Sequence, residues 1–386
     1  MKPTIDSIDE VEGAMRPMSI AGDVSNENIM MKSLLKKKSS VILLTSCLLV
    51  LLILILTLSS TYTASAIDDQ LDRRSNSKSL RIVQYNVEWL FLDYDRNSDC
   101  PGNGCTWKTE SEAKIHLSHL VNVINKLDAD IINLCEIKGL HELDYLLKSN
   151  ISNDYNSYMK KGTDTATGQN VGIISKLVPI VDLYRTEDRL GFPMPNSKCG
   201  YVGNGKSQTT GVSKHYITEY AIGNMKIAMI GAHLLAIPTE SARCAKREAQ
   251  ATILQSIISQ YILNKYEIIV LGDLNDFDGN VSDANNNAPN SQVLDILKGK
   301  SISTQKELYK LYSIAQFIQQ NKRYTGWYDK NKDCKSSPSE LSMIDHILVS
   351  ENIKNNITKA FIYQEYDQFC GTYNSDHYPV VIDIDI

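Results

Sequence analysis

The stretch Ile269-Val-Leu-Gly-Asp273-Leu-Asn275 is the most informative part of this sequence. An apolar run of this kind is typical of a buried β-strand, and here it ends in a carboxylate and an amide. A carboxylate beside a buried strand costs free energy unless it is paired or bound to a cation. The stretch therefore predicts a strand that carries polar functional groups at its C-terminal end.

The same arrangement recurs at other apolar segments along the chain. Carboxylate, amide or imidazole side chains follow these segments or lie within them: Asn86 with Glu88, Glu136, His233, Asp345, and Asp376 with His377. One such position is usually a structural hydrogen bond. Six strand ends of this kind predict one converging site.

Strand patterns and a few helical patterns interleave between these segments. Alternating or continuously apolar runs predict strands, among them 80–87, 129–135, 171–175, 226–231 and 378–386. Helical spacing predicts helices over Glu110–Leu127 and Ser241–Leu263. Many strands with few long helices indicate layered sheets, and residues 80–386 fit one large α/β domain.

Seven of these segments resemble the endonuclease/exonuclease/phosphatase superfamily, which includes deoxyribonuclease I, apurinic endonucleases, neutral sphingomyelinases and inositol polyphosphate 5-phosphatases. They are Gln84-Tyr-Asn-Val-Glu-Trp-Leu, Leu134-Cys-Glu-Ile, Asn170-Val-Gly-Ile-Ile-Ser-Lys, Gly231-Ala-His-Leu, Leu271-Gly-Asp-Leu-Asn, Ile344-Asp-His-Ile-Leu-Val and Ser375-Asp-His-Tyr-Pro-Val. The segments occur in the family's order. The resemblance implies a four-layered α/β sandwich of two mostly antiparallel sheets, with the site at one edge between them.

The resemblance also implies a role for each candidate residue. The implied catalytic residues are His233, Asp273, Asp345 and His377, and the implied phosphate-binding residues are Asn86 and Asn275. The implied metal ligands are Glu136 and Asp376, while Glu88 is either a further ligand or a solvent-facing side chain. The implied ion is Mg²⁺, with Ca²⁺ or Mn²⁺ as alternatives.

Three further residues near these motifs are expected to have no part in catalysis. Arg243 and Arg247 lie four apart on the helix that follows His233, so they share a face that we expect to be solvated. His346 follows Asp345 on a strand and is expected on the opposite face of the sheet.

A run of 18 residues without a charge extends from Val41 to Leu58. Its length is sufficient to span a bilayer, at the short end of the range. Four lysines precede it and three aspartates follow it, so the positive-inside rule places the N-terminus in the cytosol. We expect a signal anchor or, because Ala64-Ser-Ala66 is an A-x-A pattern, a cleaved signal peptide. Either would place residues 67–386 outside the cytosol, tethered or secreted.

The expected organisation is a disordered cytosolic tail (1–40), the apolar span (41–58), a linker (59–79) and the folded domain (80–386). The net charge of −5 belongs to residues 67–386, because the first 66 residues contain six basic and six acidic side chains. This balance excludes a strongly basic polymer-coating protein but permits an enzyme that acts on a polyanion.

The cysteines agree with an oxidising compartment. Cys47 lies in the apolar run and Cys135 in a buried-strand pattern, which leaves an even set: Cys100, Cys105, Cys199, Cys244, Cys334 and Cys370. We expect disulfides within this set, with Cys100–Cys105 as the local pair. A zinc site is the less favoured alternative because no C-x-x-C pair is present. Three N-glycosylation sequons, at Asn150, Asn280 and Asn356, agree with the same compartment.

Together these patterns predict a magnesium-dependent phosphodiester hydrolase, specifically an extracytosolic endonuclease of the deoxyribonuclease I type. The expected partners are a nucleic acid, DNA in preference to RNA, and the membrane through residues 41–58, with no obligate protein partner. A sphingomyelinase-like lipid phosphodiesterase is the alternative, because a membrane tether suits it. A non-catalytic ectodomain on the same fold is a second alternative, which the occupied catalytic positions disfavour.

Overall fold

A computed structural model of the chain describes residues 72–92, 106–205, 207–366 and 373–386. The strands within these ranges are β1 (Ser79–Leu90), β2 (Ile131–Ile137), β3 (Asn156–Met159), β4 (Asn170–Ser175), β5 (Val181–Tyr184), β6 (Leu190–Gly191), β7 (Thr209–Thr210), β8 (His215–Ile222), β9 (Met225–His233), β10 (Glu267–Asp273), β11 (Tyr312–Ser313), β12 (Gly326–Trp327), β13 (Leu341–Ser342), β14 (Asp345–Val349), β15 (Ile357–Ile362) and β16 (Val380–Asp385). The helices are α1 (Glu110–Leu127), α2 (Leu140–Lys148), α3 (Ser241–Leu263), α4 (Val293–Leu297) and α5 (Glu351–Asn355).

Two six-stranded sheets form the framework. The first sheet has the order β15-β16-β1-β2-β4-β3, and the second has the order β11-β14-β10-β9-β8-β5. Each sheet has one parallel pair at its centre, β1 with β2 and β9 with β10, and its other neighbours are antiparallel. The expected mixed α/β fold with two mostly antiparallel sheets is therefore confirmed.

The two sheets pack face to face through a shared apolar core. In β1, Leu80 and Ile82 face this core, whereas Val83, Tyr85 and Val87 pack on the helical side of the sheet. Both faces of the strand are therefore buried, which explains why its sequence is apolar at odd and even positions alike. Regular alternation carries Gln84 and Asn86 to the face between the sheets.

Helices cover the outer face of each sheet. Helices α1 and α2 pack on the first sheet in one core cluster, and α3 and α4 pack on the second sheet in another. The predicted bounds of α1 and α3 match the structure. Helix α1 begins with a capping box. The Thr109 side chain accepts from the backbone N–H of Glu112, and the Glu112 side chain accepts from the backbone N–H of Thr109.

One disulfide of the expected set, Cys199–Cys244, lies within the described residues, and Cys135 is a buried free thiol. The predicted local pair Cys100–Cys105 and the predicted span 41–58 lie outside them. Among the helices that the structure describes, none has the length and apolar character needed to cross a bilayer.

Candidate active site

The structure places all nine predicted site residues in one connected cluster at an edge between the two sheets. Asn86 and Glu136 come from the first sheet, and His233 and Asp273 from the ends of the parallel strands of the second. Asp345 begins the antiparallel strand β14, so it reaches the same edge. The predicted convergence of strand ends is therefore what the fold produces.

Asn86 is the link between the two sheets. It is fully buried, and its Nδ2 donates to Glu136 Oε1 and to Asp273 Oδ2, at 3.1 Å in each case. Its backbone carbonyl accepts from Ser375 Oγ at 2.7 Å, which fixes the segment that carries Asp376 and His377. One amide thus sets the relative positions of an acid from each sheet and of the C-terminal segment.

Asp345 and His377 form the shortest charged contact in the cluster. His377 Nδ1 lies 2.6 Å from Asp345 Oδ2, and the other carboxylate oxygen of Asp345 accepts from Gln84 Nε2 at 3.0 Å. Burial alone would lower the pKa of His377, but the charges of Asp345 and Asp376 outweigh it and raise that pKa well above its usual value. His377 is therefore held as an imidazolium whose Nε2 is left for the site.

His233 faces the two acids that Asn86 joins. Its Nε2 lies 3.6 Å from Asp273 Oδ2 and 3.9 Å from Glu136 Oε1. Its Nδ1 is buried and has no hydrogen-bond partner among the described residues. Burial and the nearby positive charges of Lys214 and His377 hold the pKa of His233 well below its usual value, so the ring is neutral.

Glu136 reaches the site through an irregular backbone. Ile132 and Leu134 of β2 face the helical side, so regular alternation would turn Glu136 to that side as well. Instead, Glu136 has φ +65°, and the register between β2 and β4 shifts between Cys135 and Ile137. The bulge turns the carboxylate toward Asn86 and returns Ile137 to the helical side.

Glu88 lies beside Asp376. Its Oε2 accepts from the backbone N–H of Asp376 at 2.8 Å. Burial and the charges of Asp376 and Glu136 raise the pKa of Glu88 well above its usual value. Glu88 therefore belongs to the acidic group of the site, and the solvent-facing alternative is not what the structure has.

Asn275 is placed by a tight turn after β10. It has φ +52°, a conformation in which asparagine is favoured among residues other than glycine. Its backbone N–H donates to Asp273 Oδ1 at 3.0 Å, and its Nδ2 donates to the carbonyl of Leu234 at 3.1 Å. Asn275 thus orients Asp273, and one of its two amide protons is already engaged.

Asp273 is held on both oxygens, by Asn86 and by the backbone of Asn275. Burial, with the charges of Asp345 and Glu136 added to it, raises the pKa of Asp273 to about 7. Burial and the charge of Asp376 likewise raise the pKa of Glu136. A group of buried acids that repel one another is stabilised by bound cations.

The donor set fits a divalent cation. Two groups have ligand atoms that all lie within 4.8 Å of one another: Glu136, His233 and Asp273 in one, and Asp273, Asp345 and His377 in the other. Carboxylate oxygens are the ligands that Mg²⁺ prefers, and Glu136 is common to the first group and to the predicted ligand set.

Lys214 is a site residue that the sequence motifs did not reveal. It is buried, its Nζ donates to Gln169 Oε1 at 3.1 Å, and its backbone carbonyl accepts from the N–H of His233 at 2.9 Å. Its positive charge partly offsets the rise in the pKa of Glu136 that burial and Asp376 cause. A lysine directly before a strand carries no recognisable pattern, so only the fold shows that this cation is at the site.

The position of Arg247 differs from the one expected from the sequence. It is fully buried rather than solvated, and its guanidinium donates to the carbonyls of Leu235, Ile237 and Pro238. The prediction was wrong because helical spacing shows which residues share a face but not what covers that face. Arg243, in contrast, is partly exposed and pairs with Glu240 at 2.8 Å. Arg247 therefore stabilises the loop that follows His233.

His346 is placed as expected. It is buried on the face opposite Asp345, where its Nε2 contacts the carbonyl of Asp276 at 2.9 Å. It has a structural role in the core on that side of the sheet.

Two face-to-face sheets bring acids, amides and imidazoles together at one edge. A sequence model of the Endonuclease/Exonuclease/phosphatase family matches residues 83–377. The chain belongs to this family.

Several solved structures are similar to this chain at low identity. Truncated TDP2 from Caenorhabditis elegans aligns at 15% identity with a TM-score of 0.46, covering 80% of this chain and 98% of that one. D. rerio TDP2 complexed with single strand DNA product aligns at 16% with a TM-score of 0.46, covering 80% and 99%. The human Nocturnin catalytic domain with bound sulfate anion aligns at 14% with a TM-score of 0.46, covering 79% and 94%. No curated protein sequence matches the chain.

Proposed function

We propose that this protein is a magnesium-dependent phosphodiester hydrolase that cleaves nucleic acid, DNA in preference to RNA, outside the cytosol. The observation that carries the proposal is the single cluster in which Asp273, the Asp345–His377 pair and Glu136 meet. The Cys199–Cys244 disulfide supports an oxidising compartment. The predicted span 41–58 is the proposed membrane tether.

The phosphate group of the substrate needs positive charge and hydrogen-bond donors around it. Lys214 provides a buried cation at the site, and His377 provides a second positive group. A bound divalent cation would supply further charge neutralisation at the phosphoryl oxygens. Glu136, with Asp376 and Glu88, would hold that cation through carboxylate oxygens.

Asp273 is placed to orient and deprotonate an attacking water. Both of its carboxylate oxygens are fixed, so its orientation is set before substrate binds. Its environment also suits a general base at neutral pH, because an efficient base has a pKa near the working pH.

His377 is the better oriented of the two imidazoles for transferring a proton. Asp345 holds its Nδ1, so Nε2 is directed to the site. His233 has no such partner on its Nδ1 among the described residues. We therefore assign protonation of the leaving oxygen to His377, and assign to the neutral His233 a hydrogen bond to the phosphate. The resemblance instead implied that His233 protonates the leaving oxygen.

The test offers four substrates in parallel to the 386-residue chain, folded under oxidising conditions and supplied with magnesium. These are plasmid DNA, RNA, sphingomyelin in vesicles and inositol phosphates. We expect magnesium-dependent DNA cleavage that His377→Ala abolishes, whereas substitution of the exposed His141 by alanine leaves it unchanged. Turnover of sphingomyelin with intact DNA would overturn the nuclease assignment in favour of the lipid phosphodiesterase.

A further inference from the structure

A cavity of about 510 Å³ has two wall residues that are close in sequence to residues of the candidate active site. Its wall includes Ser213, the neighbour of Lys214, and Leu235, the second residue after His233. Adjacent Cα atoms are about 3.8 Å apart, so the cavity begins within one or two residues of the site. A ligand that occupied both places would be a single extended molecule.

Three cations line this cavity: Arg185, Arg189 and Lys246. Arg185 Nη2 donates to the carbonyl of Val212 at 2.8 Å, and Arg189 Nη2 donates to the carbonyl of Thr209 at 2.9 Å. Backbone carbonyls thus hold both guanidinium groups in place. Their positions are fixed by the fold rather than by a neighbouring acid.

None of these three cations forms an ion pair with a carboxylate among the described residues. Lys246 Nζ instead lies 5.4 Å from the centre of the Phe192 ring. Two acids, Glu187 and Asp188, also line the cavity, but both are exposed. The cavity therefore carries a net positive charge on a chain whose net charge is −5.

Arg185 also has capacity for a further bond. The two acceptors that it contacts, Val212 O and Thr163 Oγ1, are both bonded through Nη2, so Nη1 forms no hydrogen bond to the described residues. Guanidinium groups bind phosphate oxygens through pairs of N–H donors and are the preferred side chains for this purpose. The chemistry of the cavity therefore suits a phosphate group.

The rest of the lining argues against a lipid. Most of the remaining wall is polar, formed by Thr163, Thr210, Ser213 and Gln250. Val212 and Leu235 are the two residues with wholly apolar side chains in this wall.

We infer that the cavity formed by Arg185, Arg189 and Lys246 binds a second phosphate of a polynucleotide whose scissile phosphate lies in the candidate active site. This inference rests on the proposed function and narrows its substrate to a strand with several phosphates. A phosphodiester with one phosphate would reach the active site without using the cavity.

The test measures binding without catalysis. A short fluorescein-labelled single-stranded DNA is titrated with the 386-residue chain in EDTA at several salt concentrations, and anisotropy gives Kd. The variant is the double substitution Arg189→Gln with Lys246→Gln. The matched control is Lys310→Gln with Lys359→Gln, which removes the same charge from exposed lysines. Lys310 lies just before β11 and Lys359 lies in β15, at sheet edges remote from β5 and the cavity.

We expect the double variant to weaken binding by about tenfold or more at low salt. We also expect it to reduce the slope of log Kd against log salt by about 0.7, because one phosphate contact to a single strand is lost. The control should bind as the wild type does. In the opposite direction, Glu187→Gln should tighten binding. An unchanged Kd and slope in the double variant, or no binding by the wild type, would overturn the inference.

Two further measurements separate this inference from the proposed function. With magnesium, the double variant should hydrolyse bis(4-nitrophenyl) phosphate at the wild-type rate, since that diester has one phosphate. If the wild type hydrolyses no diester, the proposed function fails, while the anisotropy result still decides the inference. If the double variant loses binding to phosphatidylserine vesicles and not to the oligonucleotide, the cavity is a membrane contact and the inference fails.

Discussion

The two sheets bring their functional side chains to the shared edge in different ways. In the second sheet, Met229, Ile269 and Leu271 face the core between the sheets, and strict alternation then delivers His233 and Asp273 to the same face. The register between β9 and β10 is unbroken from Glu267 to Asp273. Within β9 and β10, only Gly272 has a positive φ, at +152°.

The first sheet delivers its acids through bulges. Glu88, Trp89 and Glu136 all have positive φ, at +50°, +58° and +65°. The register of β1 against β2 shifts between Asn86 and Leu90. Positive φ costs a residue with a Cβ about 1–2 kcal/mol, so strain is concentrated where the proposed cation ligands lie. The regular sheet thus supplies Asp273, the proposed base, and the strained sheet supplies Glu88 and Glu136 of the proposed cation site.

The largest expected effect comes from Asp273→Asn on the regular sheet. We expect kcat for DNA cleavage to fall about 10³-fold, because the substitution removes the base and keeps the shape. Magnesium affinity should change little. Single-turnover kinetics measures the fall, and Asp182→Asn, at an exposed position in β5, is the control. A fall that high magnesium reverses would contradict the assigned role.

Gly272→Ala tests why the regular sheet can place Asp273 so close to β9. Gly272 has φ +152°, and an added Cβ would lie 1.8 Å from the carbonyl oxygen of Ala232. We expect the free energy of unfolding to fall by about 4 kcal/mol, as measured by urea denaturation. Gly191→Ala is the control, since its nearest neighbour would be 3.7 Å away. Equal stability of the two variants would show that the strands can separate at no cost.

A buried histidine in the second sheet, His215, is expected to make the stability of the fold depend on pH. His215 Nε2 accepts from the Thr186 backbone at 3.0 Å, while Nδ1 donates to Val212 O at 2.8 Å, so both bonds need the neutral ring. Burial and Arg185 lower the pKa of His215 to about 4 from 6.5. Between these values the unfolded chain binds more protons, so stability falls as pH falls from 6.5 to about 4.

The fall attributable to His215 is at most about 3 kcal/mol. Urea denaturation across this pH window measures it, with His215→Gln and His141→Gln compared. The first substitution should flatten the curve, and the second, at an exposed histidine, should leave it as in the wild type. Identical curves for all three proteins would show that His215 does not titrate in this window.

On the strained sheet, Glu136→Gln should act on cation binding. We expect the dissociation constant for magnesium to rise about 10- to 100-fold, because an anionic oxygen is lost from the donor set. Isothermal titration calorimetry measures it, with the partly exposed Glu240 changed to glutamine as the control. If Glu136→Gln bound magnesium with wild-type affinity, residues other than Glu136 would be the ligands.

The smallest expected effect isolates the strain itself. At φ +65°, glycine at position 136 avoids the cost that any Cβ incurs. Glu136→Gly should therefore be more stable to urea than Glu136→Ala by about 1 kcal/mol. The reverse order would show that the bulge is not strained.

The regular parts of this molecule could be predicted from the sequence. The bounds of α1 and α3 follow from helical spacing, and the strand ends at His233 and Asp273 follow from alternation. The family and the two-sheet fold follow from spaced motifs. The position of Glu136 did not follow from alternation, which would turn it toward the helices; its place at the end of an apolar segment and the resemblance predicted it at the site.

Long-range packing accounts for what the sequence did not show. Lys214 reaches the site because β8 pairs with β9 through the Gly223-Asn224 hairpin, but no motif marks a lysine just before β8 as a residue of the site. Arg247 is buried because a loop that follows β9 returns over α3 and offers its carbonyls. Both contacts depend on which elements meet, and a sequence pattern reports only the periodicity within each element.

The most direct test of the account is the initial rate of plasmid cleavage against magnesium concentration, for the wild type, Glu136→Gln and Asp273→Asn together. We predict that Glu136→Gln shifts the curve to higher magnesium and regains much of the wild-type plateau. Asp273→Asn should lower the plateau about 10³-fold without shifting the curve. Wild-type cleavage that persists in EDTA, or two variants with the same curve, would contradict the division of roles between the sheets.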